Sequence, residues 1–288
     1  MRLALGTVQF GLPYGVANKS GQVSQNEAKS MIRIASENGI DTLDTAIAYG
    51  ESEECLGFVG VKNFKLVTKL PSIPDGYLDI SGWIHEQVTS SLLRLGVEKL
   101  YGFLLHKSED LLRPDGPELY RALDSLKEEG LVKKIGVSIY SPNELEALKN
   151  DFSFDLIQAP FNLIDQRLLH SGWMKKLKDS GVEIHTRSTF LQGLLLMKET
   201  DIQPKFSPWK HLWNKWHDWL AENNISALQG SLAFALSFPE IDRVVVGADS
   251  HHQLMEIIIA TNNLLNADLP NLVSADENLI NPANWSQL

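Results

Sequence analysis

The stretch LDTAIAYGESEECLG, Leu43 to Gly57, decides the fold. An apolar strand ends at Asp44, a short loop carries Tyr49, and an acidic helix begins just beyond. A strand that passes through a loop into a helix is the unit of a parallel sheet, because parallel neighbours need a crossover connection. The unit recurs in both directions along the chain. RLALG precedes it, and FKLVTKL, KLYGFLLH, KKIGVS, FDLIQA, VEIHTR and DRVVVG follow, which makes eight strand patterns with IDTLD. Helical patterns lie between them. Ser24 with Glu27 three residues on predicts a capping box; Ala28, Met31, Ile32 and Ala35 then follow at helical spacing up to Asn38-Gly39. Ile84, Val88, Leu92 and Leu95 mark one face of a second helix, and Leu119, Leu123 and Leu126 one face of a third. Ser141 and Glu144 predict another capping box, with Pro142 at the first helical position.

Strands apolar on both faces, each followed by a helix, imply a parallel sheet covered by helices. Eight of them match a closed (β/α)8 TIM barrel of the usual size, about 250 residues, forming one domain over residues 1–288. An open dinucleotide-binding sheet would show G-x-G-x-x-G after its first strand, and LGTVQFGLPYG lacks that spacing. The one long insertion is Thr189 to Asn224, where Trp209, Trp213 and Trp216 recur at helical spacing and Trp219 follows; this aromatic face is expected to pack on the barrel.

Composition narrows the function. With 43% hydrophobic and 22% charged residues the chain is an ordinary globular one, and its net charge of -10 argues against nucleic acid as the main partner. No apolar run reaches the length of about 20 residues that spans a bilayer, and Gly6 and Gln9 interrupt the N-terminal apolar stretch, so a cytoplasmic protein is expected. Cys55, the only cysteine, excludes an internal disulfide and a multi-cysteine metal site, and is expected to sit quietly on a helix. The eight histidines are scattered without ligand spacing, so no metal is expected and a metal-dependent barrel hydrolase is poorly supported.

Chemistry in such barrels sits at the C-terminal ends of the strands. There the chain places Asp44 with Tyr49 just beyond, Lys69, and His106, on three successive strands. Ionisable groups in a core are costly unless paired. If they converge, Asp44 holds Lys69 charged and the ammonium is expected to lower the pKa of the Tyr49 phenol, making it a proton donor. His106 would orient a carbonyl oxygen.

LGTVQFG, LDTAIAYGESEECLG, VTKL, FLLH, KKIGVS and LIQAPFN resemble, in order, the motifs of the aldo-keto reductase superfamily, from about residue 3 to residue 260. The resemblance implies a barrel that binds NADPH or NADH across its top, with Asp44, Tyr49, Lys69 and His106 as the catalytic tetrad. It implies that Ser138 and Gln158 hold the nicotinamide carboxamide, although Ile139 stands where Asn is usual. Arg187 takes the position of an aromatic residue that stacks on the nicotinamide, and Thr189 that of a proline. After the last strand Gly247, Ser250, Gln253 and Glu256 match, but Asp249 falls where a basic residue meets the 2'-phosphate, and Ile257 replaces Asn. A carboxylate there is expected to weaken the usual NADPH preference and admit NADH; His251 or His252 would supply compensating charge. Substrate contacts are expected from Pro71–Asp79, Lys107–Gly116, the tryptophan insertion and the C-terminal tail, with Phe10, Tyr14, Trp209 and Trp285 as aromatic candidates. Gln9, Asn18 and Lys19 point to a small hydroxylated, sugar-like carbonyl substrate. The expected activity is reduction of an aldehyde or ketone by a monomer or small homo-oligomer. The alternative is a cofactor-binding regulatory or scaffold module with little turnover.

Overall fold

The computed structural model describes residues 1–288 except 19, 75 and 263–267. Strands β1 (Leu3–Gly6), β2 (Thr42–Asp44), β3 (Lys65–Leu70), β4 (Leu100–Leu105), β5 (Val132–Ser138), β6 (Leu156–Pro160), β7 (Glu183–Arg187) and β8 (Arg243–Val246) form a closed parallel barrel in sequential order. β8 returns to β1 with Leu3 opposite Val244. The expected (β/α)8 architecture is the observed one, and six strands lie within their predicted stretches, while β5 starts one residue earlier, at Val132, and β6 ends one residue later, at Pro160.

Alternation along the strands sorts the interior into layers, because residues two apart share a face. Lys69, His106, Gln158 and Arg187 crown the C-terminal end. Two residues below three of them, Val67, Leu104 and Leu156 form a small buried apolar cluster. An ionic layer closes the opposite end. Glu183 accepts from Tyr101 Oη at 2.7 Å, contacts His185 Nε2 at 2.7 Å and pairs with Lys134. Burial opposes the Glu183 charge, but those partners hold its carboxyl well below the usual carboxylate range.

The opening motif owes much of its composition to packing. In the helix Ser52–Val59, Ser52 Oγ donates to Thr7 O at 2.8 Å and meets Thr45 Oγ1 at 3.0 Å, tying the ends of β1 and β2 together. Glu53 is buried and accepts from Thr68 Oγ1 and Ser91 Oγ, both at 2.6 Å, and from Arg94 Nε at 2.8 Å. It therefore fastens this helix to β3 and to the helix Ile80–Leu95. Cys55 is buried on the same helix, where burial and then Glu51 push its thiol up. A Cβ at Gly11 would lie 1.8 Å from Tyr49 O, so glycine there lets the Tyr49 loop close against the end of β1.

One expectation is corrected. The capping box at Ser141 is complete, but the one at Ser24 is only half made: Ser24 Oγ accepts from Glu27 N at 3.3 Å, while the Glu27 carboxylate turns away to His251. The tryptophans of the insertion pack on the barrel, as expected. Short turns over Leu191–Leu196, Glu199–Asp201 and Pro204–Trp209 lead into the helix Lys210–Asn223. Trp213 and Trp216 are buried and donate to Phe206 O at 3.1 Å and Leu195 O at 3.0 Å, while Trp209 donates to Asp276 at 3.0 Å. Trp285 stacks edge-on against Phe206, with ring centroids 4.8 Å apart.

Candidate active site

A cleft of about 500 Å³ opens at the C-terminal end of the strands. Asp44, Tyr49, Lys69 and His106 all line it, together with Ser138, Gln158, Arg187, Gly247, Asp249, Gln253 and Glu256. Ser250 is the exception among the residues expected at the cofactor site. Its Oγ accepts from Gln253 N at 3.2 Å, capping the helix His251–Asn262 instead of walling the cleft. Of the aromatic candidates only Tyr14 lines the cleft; Phe10, Trp209 and Trp285 are core residues.

The floor is a closed polar network. Lys69 Nζ lies 2.8 Å from Asp44 Oδ1 and donates to Thr45 O at 2.8 Å. Asp44 Oδ2 accepts from Gln158 Nε2 at 2.6 Å. The register explains the convergence, since Asp44 stands opposite Val67 and Lys69 opposite Leu104 on neighbouring strands. Tyr49 sits above this network. Its ring centroid is 5.3 Å from Lys69 Nζ and 5.8 Å from that of His106, with the two rings edge-on at 78°.

Electrostatics differ from the expected tuning. Burial holds the Tyr49 phenol well above the usual tyrosine range, Asp44 pushes the same way, and Arg187 opposes them. Burial therefore outweighs the lowering expected from the neighbouring lysine, whose ammonium is paired with Asp44. Burial also pulls Lys69 down, with Asp44 holding it up. Burial, then Lys69 and Arg187, depress His106 to about 4, so its imidazole is neutral at pH 7 and keeps one N–H to donate. The result is a protonated phenol and a neutral imidazole side by side over a buried ion pair. Such a pair can donate hydrogen bonds to one oxygen and deliver a proton to it.

The far end of the cleft is lined with carboxylates. Asp249 N donates to Gln253 Oε1 at 2.8 Å, and Asp249 Oδ1 accepts from Asn18 Nδ2 at 3.2 Å. Asn18 also organises its own turn, accepting from Ser20 N and Gly21 N at 2.9 and 2.8 Å. It is therefore committed to bridging the loops after β1 and β8, whereas Lys19 lies outside the described residues. Glu27 accepts from the backbone N–H of His251 and contacts its Nδ1 at 2.7 Å, placing a second carboxylate on the N-terminus of that helix. Burial works against Glu27, but the hydrogen bonds from His251 keep its carboxyl below the usual range. Nothing local marks Glu27 for this position, since its partner lies 224 residues away. Two buried oxygens along the cleft, Gln9 Oε1 and Gln158 Oε1, have no hydrogen-bond partner. Among the described residues no group of three or more His, Cys, Asp or Glu could hold a metal, and no helix is long and apolar enough to cross a membrane.

A parallel barrel with an Asp–Lys pair, a phenol and an imidazole at its mouth defines a class of carbonyl-handling oxidoreductases, and the comparisons agree. The profile of the Aldo/keto reductase family matches residues 2–275, and the chain belongs to that family. It is 28% identical over 281 residues to the uncharacterized oxidoreductase YqkF of Bacillus subtilis, covering 90% of each chain. It is 25% identical over 201 residues to the NADH-specific methylglyoxal reductase of Escherichia coli, covering 64% of this chain and 61% of that one. Among solved structures, the aldo-keto reductase AKR11C1 from Bacillus halodurans in its holo form superposes with a TM-score of 0.73 over 93% of this chain and 88% of that chain, at 21% identity, which establishes the shared fold.

Proposed function

We propose that this chain is a cytoplasmic NAD(P)H-dependent reductase of a small aldehyde or ketone, acting as a monomer or small homo-oligomer. The observation that carries the reading is the convergence of Tyr49, His106, Lys69 and Asp44 on one cleft that continues past Gln158 to Gly247. A nicotinamide, when bound, supplies hydride to the carbonyl carbon. The chain's own residues supply the rest. His106 and Tyr49 donate hydrogen bonds to the carbonyl oxygen, and Tyr49 gives it the proton as negative charge develops. Burial keeps the phenol protonated, so the hydroxyl carries the proton that the reduced oxygen takes. Asp44 and Lys69 keep the floor rigid and charged.

The cleft residues fit a nicotinamide cofactor. Gln158 Oε1 is buried, unpartnered and able to accept from an amide, with Ser138 opposite it in register. A Cβ on Gly247 would come within 2.6 Å of Gln9 Nε2, so a side chain there would push the Gln9 amide aside at the edge of the cleft. Ser138, Gln158 and Arg187 would hold the nicotinamide end, and Gly247, Asp249, Gln253 and Glu256 the adenosine end, with Ser250 shaping the helix between them. Asp249 and Glu27 favour a free ribose hydroxyl over a 2'-phosphate, and we assign NADH as the preferred cofactor. The name of the Escherichia coli relative, an NADH-specific enzyme, is in line with this assignment. Gln9 Oε1 is the remaining support for a hydroxylated substrate. No observation favours a module without turnover.

Quenching of tryptophan fluorescence by NADH and by NADPH tests the assignment. NADH binds more tightly, and Glu27→Gln with Asp249→Ser shifts the ratio toward NADPH by about tenfold, the size of one or two surface charge interactions. An unchanged ratio removes the role given to these carboxylates.

A further inference from the structure

The cleft holds one cation that meets no carboxylate among the described residues. Arg187 ends β7 and lines the cleft on the same wall as Tyr140. Four other arginines and lysines that reach into the protein meet carboxylates: Lys69 meets Asp44, Arg94 meets Glu53, Arg167 meets Asp165, and Arg243 meets Asp41; Arg2, which like Arg187 meets carbonyl oxygens, lies at the start of β1, away from the cleft. Among the described residues, the hydrogen-bond partners of Arg187 are neutral oxygens. Its Nη2 donates to Ile139 O at 3.0 Å and its Nη1 to Ser188 Oγ at 3.4 Å. Asp44, the carboxylate on the cleft floor, is already engaged by Lys69 and Gln158.

The guanidinium is also held still. Its Cζ lies 4.5 Å from the centroid of the Tyr140 ring, so one face is covered by an aromatic platform. A guanidinium has five N–H donors in a rigid fork, and the two bonds above leave three of them. A planar fork fixed by stacking and by two hydrogen bonds loses little freedom when it captures an oxyanion, which it can bind through two parallel hydrogen bonds. Its charge reaches the reacting groups, since it opposes the upward shift of Tyr49 and contributes to the depression of His106.

We propose that Arg187 binds an anionic group of the substrate, a carboxylate or a phosphate ester, and so directs the adjacent carbonyl toward Tyr49 and His106. This rests on the carbonyl-reductase reading and names its substrate class: aldehydes and ketones that carry an oxyanion a few bonds from the C=O. Stacking of Arg187 on the nicotinamide alone would weaken cofactor binding in a variant and slow all substrates alike. An anion site instead changes the choice between substrates.

The experiment uses the full-length chain with NADH or NADPH, whichever binds more tightly, and matched substrate pairs. Succinic semialdehyde against butanal tests the carboxylate, and glyceraldehyde 3-phosphate against glyceraldehyde tests the phosphate. The readout is the ratio of kcat/KM for the charged member to that for the neutral member. The unsubstituted enzyme favours the charged member of at least one pair, and the pair that responds identifies the oxyanion. Arg187→Met lowers that ratio by about 10- to 100-fold, the scale of a hydrogen-bonded charge. Arg187→Lys, which keeps the charge without the fork, gives an intermediate ratio and serves alone if the methionine variant does not fold. A ratio unmoved by either substitution, or a preference for both neutral members, overturns the proposal while the carbonyl-reductase reading stands. Turnover of none of the four compounds overturns both.

Discussion

Replacing Lys69 by methionine leaves Asp44 without its cation on the floor of the barrel. The two side chains are 1% and 6% exposed, so water does not reach in to replace the lost partner. Removing one member of a buried ion pair costs about 3–5 kcal/mol, because the survivor keeps its desolvation penalty without its attraction. The 2.6 Å bond from Gln158 to Asp44 Oδ2 remains and places the cost nearer the lower figure. Asp44→Asn in the same chain removes the stranded charge, and the double variant is expected to recover at least half of the loss, about 2 kcal/mol. Neither variant turns over. Urea denaturation followed by tryptophan fluorescence measures both changes, with an unchanged slope showing that the same surface is exposed on unfolding. A Lys69→Met variant within about 1 kcal/mol of the unsubstituted protein, or a double variant as unstable as the single, refutes the reasoning.

Two more outcomes follow from individual side chains. The ring of His106 titrates near 4, below its ordinary 6.5, so its NMR signals stay constant between pH 5 and 8. A folded-state pKa below the unfolded value means that the unfolded chain binds the proton first, so this residue costs stability as pH falls from 6.5 toward 4; His106→Gln flattens that part of the urea-midpoint profile, and an unchanged slope contradicts it. Trp216→Phe removes the donor to Leu195 O and part of a buried ring, so it costs about 1–3 kcal/mol by urea denaturation without altering KM, because Trp216 packs the insertion and does not line the cleft. A changed KM with unchanged stability contradicts the packing role.

Periodicity made the barrel legible, because eight mostly apolar strands alternate with helices and the glycine spacing of an open dinucleotide-binding sheet is missing after the first of them. Three of the four candidate residues were legible for a related reason: Asp44, Lys69 and His106 stand at the ends of mostly apolar strands, where a buried charge is costly unless paired. Spacing does not reveal partners far away in sequence. Ser24 and Glu27 have the signature of a capping box, yet the carboxylate serves His251, across the gap between two helices that only the closed barrel brings together. Charge accounting failed in the same way at Tyr49. The sequence puts a lysine beside the phenol, but burial, with Asp44 adding to it, raises the phenol where lowering was expected. Ser250 matches a motif by position and caps a helix in fact. Arg187 reads as a substituted aromatic until Tyr140 is seen against its face.

The central claim is that Tyr49 gives the proton. Tyr49→Phe keeps the ring and its edge-on contact with His106 and removes only the hydroxyl. Steady-state reduction of an accepted aldehyde, measured beside cofactor binding by tryptophan quenching, isolates that atom. The account predicts that kcat falls about 10²- to 10⁴-fold, with the cofactor dissociation constant unchanged within a factor of two. A phenylalanine variant that keeps turnover within tenfold of the unsubstituted enzyme contradicts it.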